Sequence, residues 1–311
     1  MQKTVTTTGD HGIGIMIHVV HMTDDVAKLT KFYEEVFLGY TYLGQDEINF
    51  LPNEDRWATL IMIGDYCVEA MAPNQPVNPQ LPVGKFYTKF GQHLHSVGYK
   101  VDDLEGLGDR LIDQGVYIGK PGGGKIEKMD PETVYFYPSP RDTAGLMVEL
   151  CRTDMPDDPR LSQYWTSMAS MWRNSPLTID RLAYVTLGVK DLEQGVSRYV
   201  DTMQAVLVSE GIDDEIQAKY QILHLGDCLL RLVEPLDKTS DLGKHVEQWG
   251  NMIYSVTFKV VDLDSAEEWL NRKGVKTSRL RPGLLAADPA DTFGAPYFFT
   301  PETVPNDPFE S

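Results

Sequence analysis

A tight hairpin is written twice in this chain. Residues 61–73 read Ile61-Met-Ile-Gly64-Asp65-Tyr-Cys-Val-Glu69-Ala-Met-Ala-Pro73, and residues 223–235 read Leu223-His-Leu-Gly226-Asp227-Cys-Leu-Leu-Arg231-Leu-Val-Glu-Pro235. Each is an apolar strand, a Gly-Asp turn, a second strand of the same length and a proline that stops it. One such hairpin constrains little. Two of them about half a chain apart, each at matching distance from other matching pieces, imply a duplicated architecture. At one interior position the copies carry opposite charge, Glu69 against Arg231.

The flanking sequence repeats with the hairpins. Residues 1–12 are polar and read as loose. Ile13 to Met22 is β-rich, and Asp24 and Asp25 then offer a helix cap. Val26, Leu29, Phe32, Tyr33, Val36 and Phe37 form the apolar stripe of that helix, which Gly39 ends. Two or three strands follow as far as Pro73. Residues 73–90, rich in proline and asparagine, read as a connecting loop. Leu94 to Val101 restarts the pattern. Asp102 or Asp103 caps a helix carrying Leu104, Leu107, Leu111 and Ile112, and Gly115 closes it. A glycine loop at 122–124 leads to the strands Thr133–Tyr137 and Gly145–Leu150.

Residues 152–178 read as a linker, with Met155-Pro-Asp-Asp-Pro159 as a breaker and Leu161 to Trp172 as a short bridging helix. After it, Ile179 to Val189 repeats the first strand and Asp191 repeats the cap. Met252 to Leu263 repeats Gln92 to Leu104 from its Ser-Val onward, and Gly294 to Phe299 repeats Gly145 to Leu150. The expected fold class is α+β, built of four βαβββ modules at 13–75, 92–151, 179–236 and 251–300. One module leaves a sheet face that it cannot bury alone. The modules therefore pair into two cupped mixed-sheet domains, 1–151 and 179–311.

Composition narrows the function. With 46 acidic and 28 basic residues the chain carries a net charge of −18, which opposes nucleic acid and anionic membranes. Cys67, Cys151 and Cys228 form no C-x-x-C pair, so neither a disulfide framework nor a zinc knuckle is expected. No basic-then-apolar leader and no membrane-length apolar run are present. The expectation is a cytoplasmic protein with a small-molecule substrate. Nothing in these totals opposes a homodimer.

Two local motifs stand out against this frame. One is Ile17-His18-Val19 with Asp25 seven residues after the histidine. The other runs from Tyr137-Pro138 through Gly145 to Glu149-Leu150. Together with the two hairpins they resemble the vicinal oxygen chelate superfamily, the glyoxalase, bleomycin-resistance and extradiol-dioxygenase group. The second motif is most similar to the closing segment of methylmalonyl-CoA epimerases. The resemblance implies one metal in each cupped sheet, with ligands from the first and last strands of paired modules. Carried onto this chain, it implies His18, Glu69 and Glu149 as ligands. The fourth place falls on Ser96. Its neighbour His95 is one residue out of phase and would face away in a regular strand, unless a bulge turns it in. The corresponding places in the second half are Tyr184, Arg231, Ser255 and Phe298, none of them good ligands. A metal is thus expected in the first half only. One histidine with two carboxylates suits Mn²⁺, Fe²⁺, Co²⁺, Ni²⁺ or Zn²⁺.

Taken singly, His18 reads as an ordinary histidine, and Glu69 or Glu149 as a carboxylate at a sheet edge. Buried carboxylates need a partner or a cation, and only the joint placement points to a metal. His21 reads as structural, His93 as a rim residue, and His224 and His245 lie in the half without a site. Gly119 to Lys125 imitates a phosphate-binding loop. Ile126 cannot hold Mg²⁺ and no helix follows, so it reads instead as a loop over the cup.

The leading expectation is a metalloenzyme that holds a substrate by two adjacent oxygens. It would stabilise an enediolate-type anion during epimerisation, isomerisation or lyase chemistry. The strand where the epimerases carry their carboxylate base reads Ala58-Thr-Leu-Ile-Met62 here, so Glu69 is the candidate for that role. The first alternative is an extradiol-type ring-cleaving dioxygenase using His18, His95 and Glu149. The second is a ligand-sequestering protein of the bleomycin-resistance kind.

Overall fold

The computed structural model describes residues 1–45, 47–152 and 157–310. The first sheet is built from β1 (Ile13–Met22), β2 (Tyr40–Leu43), β3 (Asn49–Leu51), β4 (Arg56–Ile63), β5 (Tyr66–Pro73), β6 (His93–Val101), β7 (Ile118–Gly119), β8 (Tyr135–Pro138) and β9 (Met147–Cys151). Its helices are α1 (Val26–Val36), α2 (Pro82–Phe90) and α3 (Leu104–Asp113). After α4 (Trp165–Arg173), the second sheet comprises β10 (Ile179–Gly188), β11 (Val206–Asp213), β12 (Ala218–Leu225), β13 (Cys228–Pro235), β14 (Met252–Val260), β15 (Thr277–Arg281), β16 (Leu284–Ala287) and β17 (Tyr297–Thr300). It carries α5 (Leu192–Met203), α6 (Asp241–Trp249) and α7 (Leu263–Arg272).

The helices begin where capping chemistry dictates. Asp25 accepts from the Lys28 amide, Asp191 from that of Gln194 and Asp262 from those of Asp264 and Ser265. The helical stripe of α1 is buried at Val26, Leu29, Tyr33 and Val36.

The strand orders of the two sheets match: β2-β4-β5-β1-β6-β9-β8-β7 and β11-β12-β13-β10-β14-β17-β16-β15, with β3 as an extra strand beside β4. The hairpin β4–β5 and the hairpin β12–β13 occupy the same place, each with its second strand parallel to the first strand of its half. The architecture is α+β, four βαβββ modules paired as two mixed sheets.

The Gly-Asp turns explain how the halves are joined. Asp65 Oδ1 accepts the Leu182 amide of β10 at 2.7 Å, and Asp227 Oδ1 accepts the Met16 amide of β1, also at 2.7 Å. Each turn thus docks into the first strand of the other half. Lys3 lies between the two turns, 2.7 Å from Asp227 Oδ2 and 3.2 Å from Asp65 Oδ2. Fully buried Arg160 donates to the Met16, Ile17 and Asp65 carbonyls and pairs with Asp158. A second joint is aromatic. Phe37, at the end of α1, packs 4.9 Å from Tyr297 and 5.9 Å from Phe258, measured between ring centroids. The Trp269 indole donates to the Val36 carbonyl.

Three sequence expectations are corrected here. The first residues are not loose: Lys3 Nζ bridges two aspartates, and the Lys3 amide bonds the Arg160 carbonyl. Residues 73–90 are not all loop, since α2 occupies their second half. Pro82 starts it at a position that needs no amide, and Gly91 ends it at φ 66°. Four strands, rather than two or three, lie between α1 and residue 73. The bridging helix is α4, beginning at Trp165. Of the breaker segment, Met155 and Pro156 lie outside the described residues. All three cysteines are buried. Among the described residues no helix is long and apolar enough to cross a membrane.

The ion cluster at the turns gives a stability prediction. Burial alone would raise Asp65 above its ordinary 3.8, but Lys3 and the Leu182 amide outweigh it and hold the carboxyl lower. Burial alone would lower Lys3 from 10.5, but Asp227 and Asp65 hold it higher. The cluster's contribution is whole between roughly pH 4 and pH 10. It is lost as pH falls through the depressed value of Asp65, and again as pH rises through the raised value of Lys3. Lys3→Met strands two buried carboxylates and is expected to cost about 3–5 kcal/mol. Asp65→Asn and Asp227→Asn are each expected to cost about 1–3 kcal/mol, by similar amounts. Urea denaturation measures all three. A Lys3→Met chain as stable as the parent would show that the turns dock without their counter-charge.

Candidate active site

The residues singled out from sequence come from four strands. His18 lies on β1, Glu69 on β5, His95 and Ser96 on β6, and Glu149 on β9. All five line one cavity of about 400 Å³. The register of β1 against β6 shows why both His95 and Ser96 reach it. Val19 faces Val97 while His21 faces Leu94, so two residues of β1 are matched by three of β6. The extra residue is a β-bulge at His95–Ser96, which breaks the period-two alternation. The second half keeps the bulge, between Ser255 and Ile253, with Tyr254 in the place of His95. Opposite His18 stands Gly98. A Cβ there would come within 3.0 Å of His18 Nε2, so glycine at this position lets the imidazole lie flat against β6.

The electrostatics centre on a residue that sequence reasoning missed. Arg56, at the start of β4, is 7% exposed. Its Nη1 donates a short hydrogen bond to Glu69 Oε1, and its Nε donates to Glu54 Oε2 at 2.8 Å. Tyr135 donates to the other oxygen of Glu54 at 3.0 Å. The second oxygen of Glu69 lies 3.5 Å from His18 Nε2. Burial alone would raise the Glu69 carboxyl. Arg56 first, then His18, outweigh burial and hold it below the usual carboxylate range. Glu149 goes the other way. Its Oε2 accepts from the Tyr137 hydroxyl at 2.7 Å, but burial dominates and raises its pKa. His95 keeps part of its surface open to the cavity. Burial still pushes it down to about 3, against the pull of Glu69, and its Nδ1 is 2.7 Å from Ser96 Oγ.

Arg56 was legible in principle. The two-residue turn sets Leu60 opposite Glu69, Ala58 opposite Met71 and Arg56 opposite Pro73. Arg56 thus shares the face of Glu69, and its long side chain reaches past the one intervening pair on that face, Ala58–Met71.

The cavity is roofed by α2 and the glycine loop. From α2 come Val83, Phe86 and Phe90, with the Phe86 ring 4.1 Å from that of His95. Gly119 and Gly122 to Gly124 also line the cavity, in keeping with a loop over the cup.

The donor chemistry fits a divalent ion. Two imidazoles and three carboxylates, Glu54, Glu69 and Glu149, open onto one cavity, and His18 Nδ1 is buried without a hydrogen-bond partner. One oxygen of Glu69 is taken by Arg56. Among the described residues no three His, Cys, Asp or Glu side chains as they stand are grouped closely enough to hold an ion.

The second half inverts the charge. Arg231, at the place of Glu69, pairs with Asp213 at the end of β11 and stacks between Tyr220 and Tyr184, 4.6 and 5.3 Å from their ring centroids. In this half Tyr254 and Phe298, at the places of His95 and Glu149, line a cavity of about 400 Å³. His21 is structural, bonded to Tyr33 and to the Phe293 carbonyl. His93 is buried and stacks on His245, 5.4 Å between centroids.

Residues 15–150 match the family described as the Glyoxalase/Bleomycin resistance protein/Dioxygenase superfamily. Among solved structures, a mutant of 4-hydroxymandelate synthase from Streptomyces coelicolor is 13% identical. The match covers 92% of both chains at a TM-score of 0.61, a likeness of fold that spans both halves. Methylmalonyl-CoA epimerase from Mycobacterium tuberculosis is 26% identical over 41% of this chain and 90% of its own, at a TM-score of 0.38. No curated protein sequence matches this chain.

The ion pair can be tested directly. Arg56→Gln strands a buried carboxylate and is expected to destabilise the chain by about 3–5 kcal/mol. Adding Glu69→Gln removes the stranded charge and restores most of that loss. Thermal denaturation of the single and double variants reads the coupling, and strictly additive losses would mean that the two side chains do not interact.

Proposed function

We propose that the chain is an enzyme acting on a small substrate with two adjacent oxygens, through one divalent cation held in its first half. The observation that carries this reading is the single roofed cavity into which His18, Glu69, His95 and Glu149 converge from four strands of two modules. His18, His95 and Glu149 are the donors for the ion, which when bound would act as a Lewis acid on the substrate oxygens. His95 is suited to this, since its depressed pKa keeps it neutral. Residues 1–151 form the catalytic domain, 152–178 the connection, and 179–311 a domain that kept the fold while Arg231 and Asp213 replaced the site.

Glu69 has a separate role in this reading. Arg56 holds it ionised and fixed beside His18, where it can accept a proton from a substrate carbon. Tyr137 orients Glu149 through its hydroxyl. The apolar walls, Val20, Met71 and Met147, exclude water from the reacting centre. The reaction is an epimerisation, isomerisation or elimination by proton transfer.

One observation favours a second reading. With Glu69 engaged by Arg56, the free donors are two histidines and one carboxylate, the set that suits Fe²⁺ and oxygen chemistry. A ring-cleaving dioxygenase would use those three residues.

Elemental analysis after loading with Mn²⁺, Fe²⁺, Co²⁺, Ni²⁺ or Zn²⁺ is expected to find one equivalent per chain, lost in the double variant His18→Ala with Glu149→Ala. His95→Ala should weaken binding strongly and Ser96→Ala little. Two equivalents, or full retention in the double variant, would contradict the proposal. Oxygen consumption by the Fe²⁺ form with a catechol would favour the second reading over proton transfer.

A further inference from the structure

The cavity has an acidic floor and a basic mouth. On the floor every carboxylate has a partner: Glu54 and Glu69 bond Arg56, and Glu149 bonds Tyr137. At the mouth stand Lys85 and Lys89, one turn apart on α2, and Lys120 on the glycine loop. All three are exposed, and among the described residues none makes an ion pair, whereas the next lysine along the loop, Lys125, is bonded to Glu127. Lys89 rests on the ring of Phe90, 4.6 Å from its centroid. The loop is shaped to admit Lys120. Gly124 has φ 100°, and a Cβ there would meet Lys120 Cε at 2.8 Å. Between floor and mouth the walls are apolar: Val20, Met71, Val83, Phe86, Phe90 and Met147.

Three exposed lysines thus line one cavity in a chain of net charge −18. They make a local positive field at the entrance. We infer that the substrate carries an anionic group at the end remote from its two reacting oxygens, joined to them by an apolar segment, and that Lys85, Lys89 and Lys120 bind that group. This inference rests on the proposed use of the cavity floor, but its test does not need the reaction.

Two dyes with the same aromatic body serve as probes: 1-anilinonaphthalene-8-sulfonate, which is anionic, and N-phenyl-1-naphthylamine, which lacks the sulfonate. Both fluoresce in apolar cavities. The full chain is expected to bind the anionic dye more tightly, and added NaCl should weaken only that dye. The triple variant Lys85→Glu, Lys89→Glu, Lys120→Glu is expected to lose about tenfold or more in affinity for the anionic dye and to leave the neutral dye unchanged. Met147→Trp, which fills the cavity, should abolish binding of both. Equal affinities for the two dyes, an unchanged anionic affinity in the triple variant, or full binding by Met147→Trp overturns the inference. Metal content, measured on the same samples, is independent of the lysines. A chain that discriminates the dyes but holds no metal would sink the proposed function and leave the anionic-end inference standing.

Discussion

The two halves are held in register by a pair of reciprocal hydrogen bonds. Asp65 and Asp227 sit at the tips of equivalent hairpins, and each accepts an amide from the first strand of the other half. A buried aspartate needs a counter-charge, and one lysine from the N-terminal segment supplies it to both. The Gly-Asp turn is therefore more than a hairpin signal. It is the contact that fixes β1 against β10, and β1 carries His18. A disturbed turn is expected to be felt in the cup, although neither aspartate touches it.

The same logic of paired charge separates the two cups. In the first, a carboxylate on β5 meets an arginine on β4. In the second, an arginine on β13 meets an aspartate on β11. Both pairs are nearly buried, and each would be costly to break from one side. The first leaves His18, His95, Glu149 and a cavity open beside it. In the second, Tyr184 and Tyr220 close over the arginine. One fold, duplicated, thus carries His18, Glu69, His95 and Glu149 in one half and Tyr184, Arg231, Tyr254 and Phe298 at the equivalent places of the other, as expected where function resides in side chains placed on a shared scaffold.

Much of this was legible in the amino-acid sequence. The repeated hairpin, the aspartate caps and the period-two and period-3.6 patterns determined four modules and two sheets, because those features depend only on neighbours along the chain. The contrast of His18, Glu69 and Glu149 with Tyr184, Arg231 and Phe298 was visible for the same reason: equivalent strands place equivalent residues on equivalent faces. Tertiary structure decided the rest. A bulge is a mismatch between two strands, so the turning of His95 into the cup depends on β1 as much as on β6. Arg56 reaches Glu69 past the intervening Ala58–Met71 pair, a distance that side-chain length rather than alternation allows. Short α2 lacks a capping side chain, and the loop before it packs so closely that Gly84 has no room for a Cβ beside the Asn78 carbonyl, 2.0 Å away. The Lys3 ammonium finds its two partners because two hairpins far apart in the sequence meet beside it.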